Sequence, residues 1–66
     1  MTGKDLVKKL KRATGPLYVT MLAQHDAPYI QAVKADVIHW ASRYMDEEIG
    51  MRLTEKDGAN YLDVVH

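Results

Sequence analysis

The chain has 66 residues, 47% of them hydrophobic, and its nine basic and nine acidic residues give a formal net charge of zero. This size and composition predict one small globular domain, and the absence of cysteine excludes disulfides and thiolate chemistry, as is typical of a cytoplasmic protein. No apolar stretch approaches the roughly 20 residues that span a bilayer, and the first residues lack the apolar core of a secretory signal, so we expect no membrane segment.

Residues 2–13 are predicted to form an amphipathic helix. Thr2 can cap its first turn, with Asp5 three residues later near the positive end of the helix dipole. Aliphatic residues recur at helical spacing along one side, and most of the basic residues lie on the other. The basic residues of this segment are Lys4, Lys8, Lys9, Lys11 and Arg12. Gly15 can adopt the left-handed conformation that ends a helix, and Pro16 cannot continue one.

Residues 17–23 are rich in strand-forming side chains, residues 25–28 have the composition of a turn, and residues 29–33 are predicted to form the returning strand. The apolar positions from 30 onward also fit a helical stripe. A single helix over residues 28–45 is therefore the alternative interpretation.

Residues 35–46 are predicted to form a second helix. Asp36 is a suitable N-cap, and Trp40 is expected to contribute to the core from the flank of the apolar side. Residues 46–48 are all acidic and would lie at the negative end of the helix dipole, which indicates that the helix ends there.

Residues 51–65 are predicted to form a β-hairpin around Asp57 and Gly58. A two-residue type I′ turn requires positive φ at both central positions, which aspartate tolerates and glycine adopts freely. The register set by this turn places the aliphatic pairs on one face of the sheet and an ion pair on the other. A shift of that register by one residue would move the aliphatic side chains to the opposite face. The predicted cross-strand pairs are Met51–Val64 and Leu53–Leu62 on one face, and Arg52–Asp63 and Thr54–Tyr61 on the other.

The two halves of the chain show a weak internal similarity at a shift of 31 residues. Residues 5–7 (Asp-Leu-Val) align with residues 36–38 (Asp-Val-Ile), and residues 26–27 align with the Asp57–Gly58 turn. We therefore predict an α+β fold, an αββαββ pseudo-repeat in which a four-stranded antiparallel sheet carries two helices on one face.

We find no pattern typical of catalysis or of a metal site. His25, His39 and His66 lack the spacing of metal ligands, and the glycines are too isolated to form a phosphate-binding loop. The acidic residues 46–48 could suggest a cation site, but consecutive residues at a helix end point in different directions, so a solvated patch is the simpler interpretation. We expect a protein that is not an enzyme and has no metal or other cofactor.

The basic first helix favours one alternative, binding of nucleic acid through Lys4, Lys8, Lys9, Lys11 and Arg12. An amphipathic surface helix commonly carries lysine opposite its core stripe, however. Residues 46–66 carry six acidic and two basic side chains, whereas nucleic-acid-binding proteins usually have a net basic surface. We consider this alternative the weaker one.

The face of the sheet turned away from the helices is the stronger candidate. We expect that face to include Val19, Met21, Tyr29, Gln31 and Val33 in the first hairpin. Its mixture of tyrosine, methionine, valine and arginine is typical of protein–protein interfaces. The predicted partner-binding residues are Met21, Tyr29, Val33, Arg52, Tyr61 and Val65.

The leading functional hypothesis is a non-enzymatic protein-binding module, a small regulator or inhibitor that occupies a surface of a larger macromolecule. Small cysteine-free domains of this kind include regulators encoded by bacteriophages and other mobile elements. A homodimer, formed either sheet on sheet or edge on edge, is the competing interpretation.

Overall fold

The structure is a computed structural model that describes residues 1–21 and 28–65, without the side chains of Met21 and Val65. Within these ranges the elements are α1 (Gly3–Arg12), β1 (Leu17–Met21), β2 (Ile30–Ala32), α2 (Lys34–Ala41), a 3-10 turn (Ser42–Tyr44), β3 (Gly50–Lys56) and β4 (Ala59–Val65). The predicted α+β class is confirmed. The predicted turn at residues 25–28 and the end of the first strand at 22–23 lie largely outside the described residues.

Helix α1 begins as its sequence predicts. The Thr2 hydroxyl accepts a hydrogen bond from the Asp5 backbone at 3.2 Å, and the Asp5 carboxylate accepts one from the Thr2 backbone at 3.4 Å, which together form a capping box. The helix ends at Ala13, whose backbone is already extended. Gly15 has the expected positive φ of 89°, but it lies two residues beyond the helix cap and shapes the connection to β1 instead.

Helix α2 differs from its predicted bounds at both ends. Its N-cap is Val33, which has no side chain able to cap, and Asp36 lies inside the first turn. At the other end the Ser42 hydroxyl donates to the Ile38 carbonyl at 2.7 Å, and the chain tightens into the 3-10 turn. The alternative of one helix over residues 28–45 is wrong, because β2 occupies its first part.

The β3–β4 hairpin confirms the predicted register. Asp57 and Gly58 have φ of 52° and 78°, as a type I′ turn requires. All four predicted pairs, from Met51–Val64 to Thr54–Tyr61, are directly opposite each other.

The prediction of a wholly antiparallel sheet is wrong. The strand order is β2-β1-β4-β3, and the two central strands, β1 and β4, run parallel. After β2 the chain passes through α2 to the far edge as β3, so β4 returns to the centre in the direction of β1. A true repeat would make β1 equivalent to β3 and β2 equivalent to β4. Two such repeats placed side by side in this strand order would pair β1 with β4 antiparallel. Because this pair is parallel, the sheet does not confirm the pseudo-repeat.

Both helices contribute apolar side chains to one core against the sheet. The buried residues of this core are Leu6, Val7, Leu10, Leu17, Val37, Ala41, Leu62 and Val64. Trp40 is half-buried against the core, with its ring 5.5 Å from that of Tyr44. Gly3 permits the close approach of α1 to the end of α2, since a Cβ atom there would lie 2.3 Å from the Ala41 carbonyl oxygen.

Candidate protein-interaction surface

The face of the sheet opposite the helices carries polar and aromatic side chains from all four strands. Strand alternation and the register place them side by side, with Tyr18 next to both Gln31 and Tyr61. We call this surface the tyrosine face. It comprises Tyr18, Thr20, Tyr29, Gln31, Arg52, Thr54, Tyr61 and Asp63. Thr20 is buried within it, with 3% of its surface exposed, so the openness of the face varies from strand to strand.

Three tyrosine rings form the centre of the tyrosine face. Tyr18 and Tyr61 stack with ring centroids 5.5 Å apart and an interplanar angle of 20°. Tyr29 meets Tyr61 nearly edge-on, at 5.2 Å and 76°. Both arrangements are favourable for aromatic quadrupoles and contribute roughly 0.5–1.5 kcal/mol per pair beyond burial. The rings therefore present a pre-ordered aromatic surface.

A hydrogen bond fixes Tyr29 above β4. Its phenol donates to the Asp63 carboxylate at 2.5 Å. This bond, together with partial burial and the nearby negative charge, raises the pKa of Tyr29 above its ordinary value. Arg52 lies opposite Asp63 in the register, but within the described part of the chain no carboxylate comes within 4 Å of its guanidinium. Arg52 is exposed.

The structure brings together three of the predicted partner-binding residues, Tyr29, Arg52 and Tyr61. Val33 is exposed at the start of α2, beside β2 at the edge of the sheet. Position 21 is beside Val64 in the register, and position 65 is opposite Gly50. The side chains of Met21 and Val65 lie outside the description.

The predicted orientation of β1 is wrong. Val19 packs against the core on the helix side, and Tyr18 takes the outward position. That prediction applied the alternation of the second hairpin to the first. The local pattern, with aliphatic Leu17 and Val19 alternating with Tyr18 and Thr20, was the signal that identifies the correct face.

The remaining sequence candidates do not converge on one site. His25 and His66 lie outside the described residues, and His39 is exposed on α2. No group of three or more histidine, aspartate or glutamate side chains within residues 1–21 and 28–65 is placed to hold a metal ion. In the acidic segment 46–48, Glu48 pairs with the amino terminus of Met1.

The basic side chains of α1 are all exposed. In the described ranges, none has a carboxylate within 4 Å. None of the described helices has the length and apolar character needed to cross a membrane. Comparison of the chain with family models, with curated proteins and with solved structures returned no match.

Proposed function

We propose that this protein is a non-enzymatic protein-binding module, a small regulator or inhibitor that uses the tyrosine face to occupy a surface of a larger macromolecule. The observation that carries the proposal is the cluster of Tyr18, Tyr29 and Tyr61 beside Arg52, on a face that the helices leave uncovered. Arg52 is exposed and has no ion-pair partner among the described residues. Tyrosine and arginine are enriched among the residues that dominate binding energy at protein interfaces.

Pre-organisation supports the same proposal. A side chain that is free in solution loses roughly 0.5–1.5 kcal/mol of rotamer entropy when an interface immobilises it. The Tyr29 ring is already held by its hydrogen bond to Asp63 and by its contact with Tyr61, so binding would order it at a smaller cost. Arg52 supplies the polar specificity, since its guanidinium fork suits a carboxylate of the partner.

Site-specific photo-crosslinking in the source cells tests the proposal. A photo-reactive residue at Thr54, on the tyrosine face, is compared with the same residue at Lys8 on α1; both positions are exposed. We expect a discrete covalent adduct with one protein from position 54 and not from position 8. Arg52→Glu should abolish that adduct, whereas Arg43→Glu, an identical charge change on the 3-10 turn, should preserve it.

The outcome that contradicts the proposal is the absence of a protein adduct from position 54, or an adduct that is insensitive to Arg52→Glu. A second variant addresses the aromatic cluster. Tyr61→Ala removes the ring that contacts both Tyr18 and Tyr29, and should weaken partner capture while the circular dichroism spectrum stays native. Unchanged capture by a folded Tyr61→Ala protein would also count against the proposal.

The basic side of α1 supports a second candidate function, binding of nucleic acid. Its five basic side chains are exposed and lack ion-pair partners in the described part of the chain, so they are free to meet phosphates. Fluorescence anisotropy with duplex and single-stranded DNA at two salt concentrations tests this function. Binding that weakens steeply with salt and is lost in Lys8→Glu with Lys11→Glu supports it. Arg43→Glu with Lys56→Glu is the control of equal charge change.

A further inference from the structure

The two edges of the sheet differ in charge. β3, at one edge, carries Arg52, Glu55 and Lys56. β2, at the other edge, lies in a segment, residues 28–33, that has no charged side chain. Charged residues on an edge strand normally discourage pairing with another strand. The β2 edge lacks this protection.

The exposed apolar side chains also gather at β2. Of the four large hydrophobic side chains exposed in the described ranges, three are Tyr29, Ile30 and Val33, with 46%, 67% and 63% of their surface exposed. On the helix side of the same edge, an apolar groove of about 260 Å³ opens between α2 and the sheet. Its apolar lining consists of Val19, Ala32, Val37, Trp40, Leu62 and Val64.

We propose that a second copy of this chain covers this edge, with the two β2 strands pairing antiparallel about a two-fold axis at Gln31. In this register Ile30 lies opposite Ala32 of the partner subunit, so a large side chain meets a small one beside the apolar groove. Tyr29 lies opposite Val33 of the partner subunit, an aromatic and β-branched pair of the kind that stabilises sheets. One symmetry operation thus brings all three exposed apolar side chains into lateral contact, on both protomers.

The backbone and the charges permit this pairing. Val33 is extended, with φ −82° and ψ 125°, so the strand conformation continues beyond β2 to the last residue of the proposed contact. Two-fold pairing brings equivalent surfaces together, so any charge near the axis would meet a like charge. The first charged residue after β2 is Lys34, whose ammonium group already donates to the Ala13 carbonyl at 2.6 Å.

The proposed axis is perpendicular to the sheet, which has a structural consequence. The four strands of each protomer join into one continuous sheet with all helices on one side and both tyrosine faces on the other. If the tyrosine face binds a partner as proposed above, the dimer is bivalent and gains avidity toward a partner that presents two copies of its site. The dimer itself does not rest on that proposed function.

Mass in solution, measured by sedimentation velocity over a concentration series, tests the dimer. We expect the full chain to shift from the mass of one chain to twice that mass as concentration rises. Gln31→Lys and Gln31→Glu each place like charges opposite one another at the axis and should abolish the shift. An equimolar mixture of these two variants should restore it, because unlike charges then meet at the axis.

The control is Thr54→Lys, an equal change at an exposed position of the opposite edge strand, which should dimerise like the parent. A parent protein that stays monomeric up to a concentration on the order of 1 mM overturns the proposal. A dimer that persists in both Gln31 variants, or a mixture that fails to restore it, also overturns it. Arg52→Glu should leave the mass unchanged, so failure of the tyrosine face as a partner site is distinguishable from failure of the dimer.

Discussion

The side-chain amide of Asn60 donates a hydrogen bond to the Thr14 carbonyl oxygen at 2.8 Å, from a position at which only 2% of the residue is exposed. The Asn60 backbone N–H also donates to the Pro16 carbonyl at 2.9 Å. Asn60 thus joins the start of β4 to the connection between α1 and β1. That connection contains no regular hydrogen-bonded structure of its own, so these bonds hold β1 in place beside β4.

Replacing Asn60 should therefore destabilise the domain. Asn60→Asp keeps the shape of the side chain but cannot donate to Thr14, and it buries a charge against a carbonyl oxygen. We expect the free energy of unfolding to fall by roughly 1–3 kcal/mol. Urea denaturation followed by circular dichroism measures it. Arg43→Ala, at an exposed position of the 3-10 turn, is the control and should change stability by less than about 0.5 kcal/mol. Equal effects of the two variants would contradict the assigned role of Asn60.

A comparison of Gly15 with Gly58 distinguishes the steric cost of an added methyl group from the cost of a left-handed backbone. Gly15 and Gly58 both have positive φ, at 89° and 78°. A Cβ atom on Gly15 would lie 2.0 Å from the Gly58 carbonyl oxygen, whereas one on Gly58 would meet nothing within 4 Å. Gly58→Ala should therefore lower the free energy of unfolding only by the cost of placing alanine in the left-handed conformation, roughly 1–2 kcal/mol.

Gly15→Ala should incur that conformational cost and also force the hairpin turn away from the α1–β1 connection. We expect it to lower the urea midpoint clearly more than Gly58→Ala does. The comparison is internal, since both variants add the same methyl group to a residue with similar φ. If Gly58→Ala were the more destabilising of the two, the contact between the two turns would not contribute as proposed.

The parts of the fold that the sequence predicts correctly are determined by local interactions. The Asp57–Gly58 turn fixes the register of β3 and β4 because turn geometry and alternation act over a few residues. The capping box of α1 is equally local, since it joins Thr2 to Asp5. In both cases the residues that specify the structure are also those that form it.

The parallel pairing of β1 with β4 depends on tertiary structure and could not be predicted in this way. It joins segments about forty residues apart, and part of what secures it is the bond from Asn60 to Thr14, for which no sequence motif exists. For the same reason, only part of the candidate site could be predicted from the sequence. Arg52 and Tyr61 belong to a predictable hairpin, whereas the stacking of Tyr18 on Tyr61 follows from the central strand pair.

The capping box makes stability depend on pH. The pKa of Asp5 is lowered mainly by the hydrogen bond that its carboxylate accepts from the Thr2 backbone N–H, and further by hydrogen bonding with the Thr2 side chain. A group whose pKa is lower in the folded state stabilises the fold above its unfolded pKa, about 3.9, and this contribution is lost as pH falls through the folded pKa. Asp5→Asn should therefore be less stable than the parent at pH 7. Urea midpoints of the two proteins should converge at acidic pH, and a constant difference would contradict this account.

The bond between Tyr29 and Asp63 gives a prediction at the opposite end of the pH scale. Because the phenol donates to a carboxylate, the pKa of Tyr29 is raised, and the stabilisation is present below the unfolded pKa of about 10 and is lost as pH rises through the folded pKa. The difference in ultraviolet absorbance between the parent and Tyr29→Phe isolates this titration. Asp63→Asn, which keeps an acceptor but removes the charge, should return the Tyr29 pKa toward its ordinary value. If the Tyr29 titration were unchanged by Asp63→Asn, the carboxylate would not be what orients this ring on the tyrosine face.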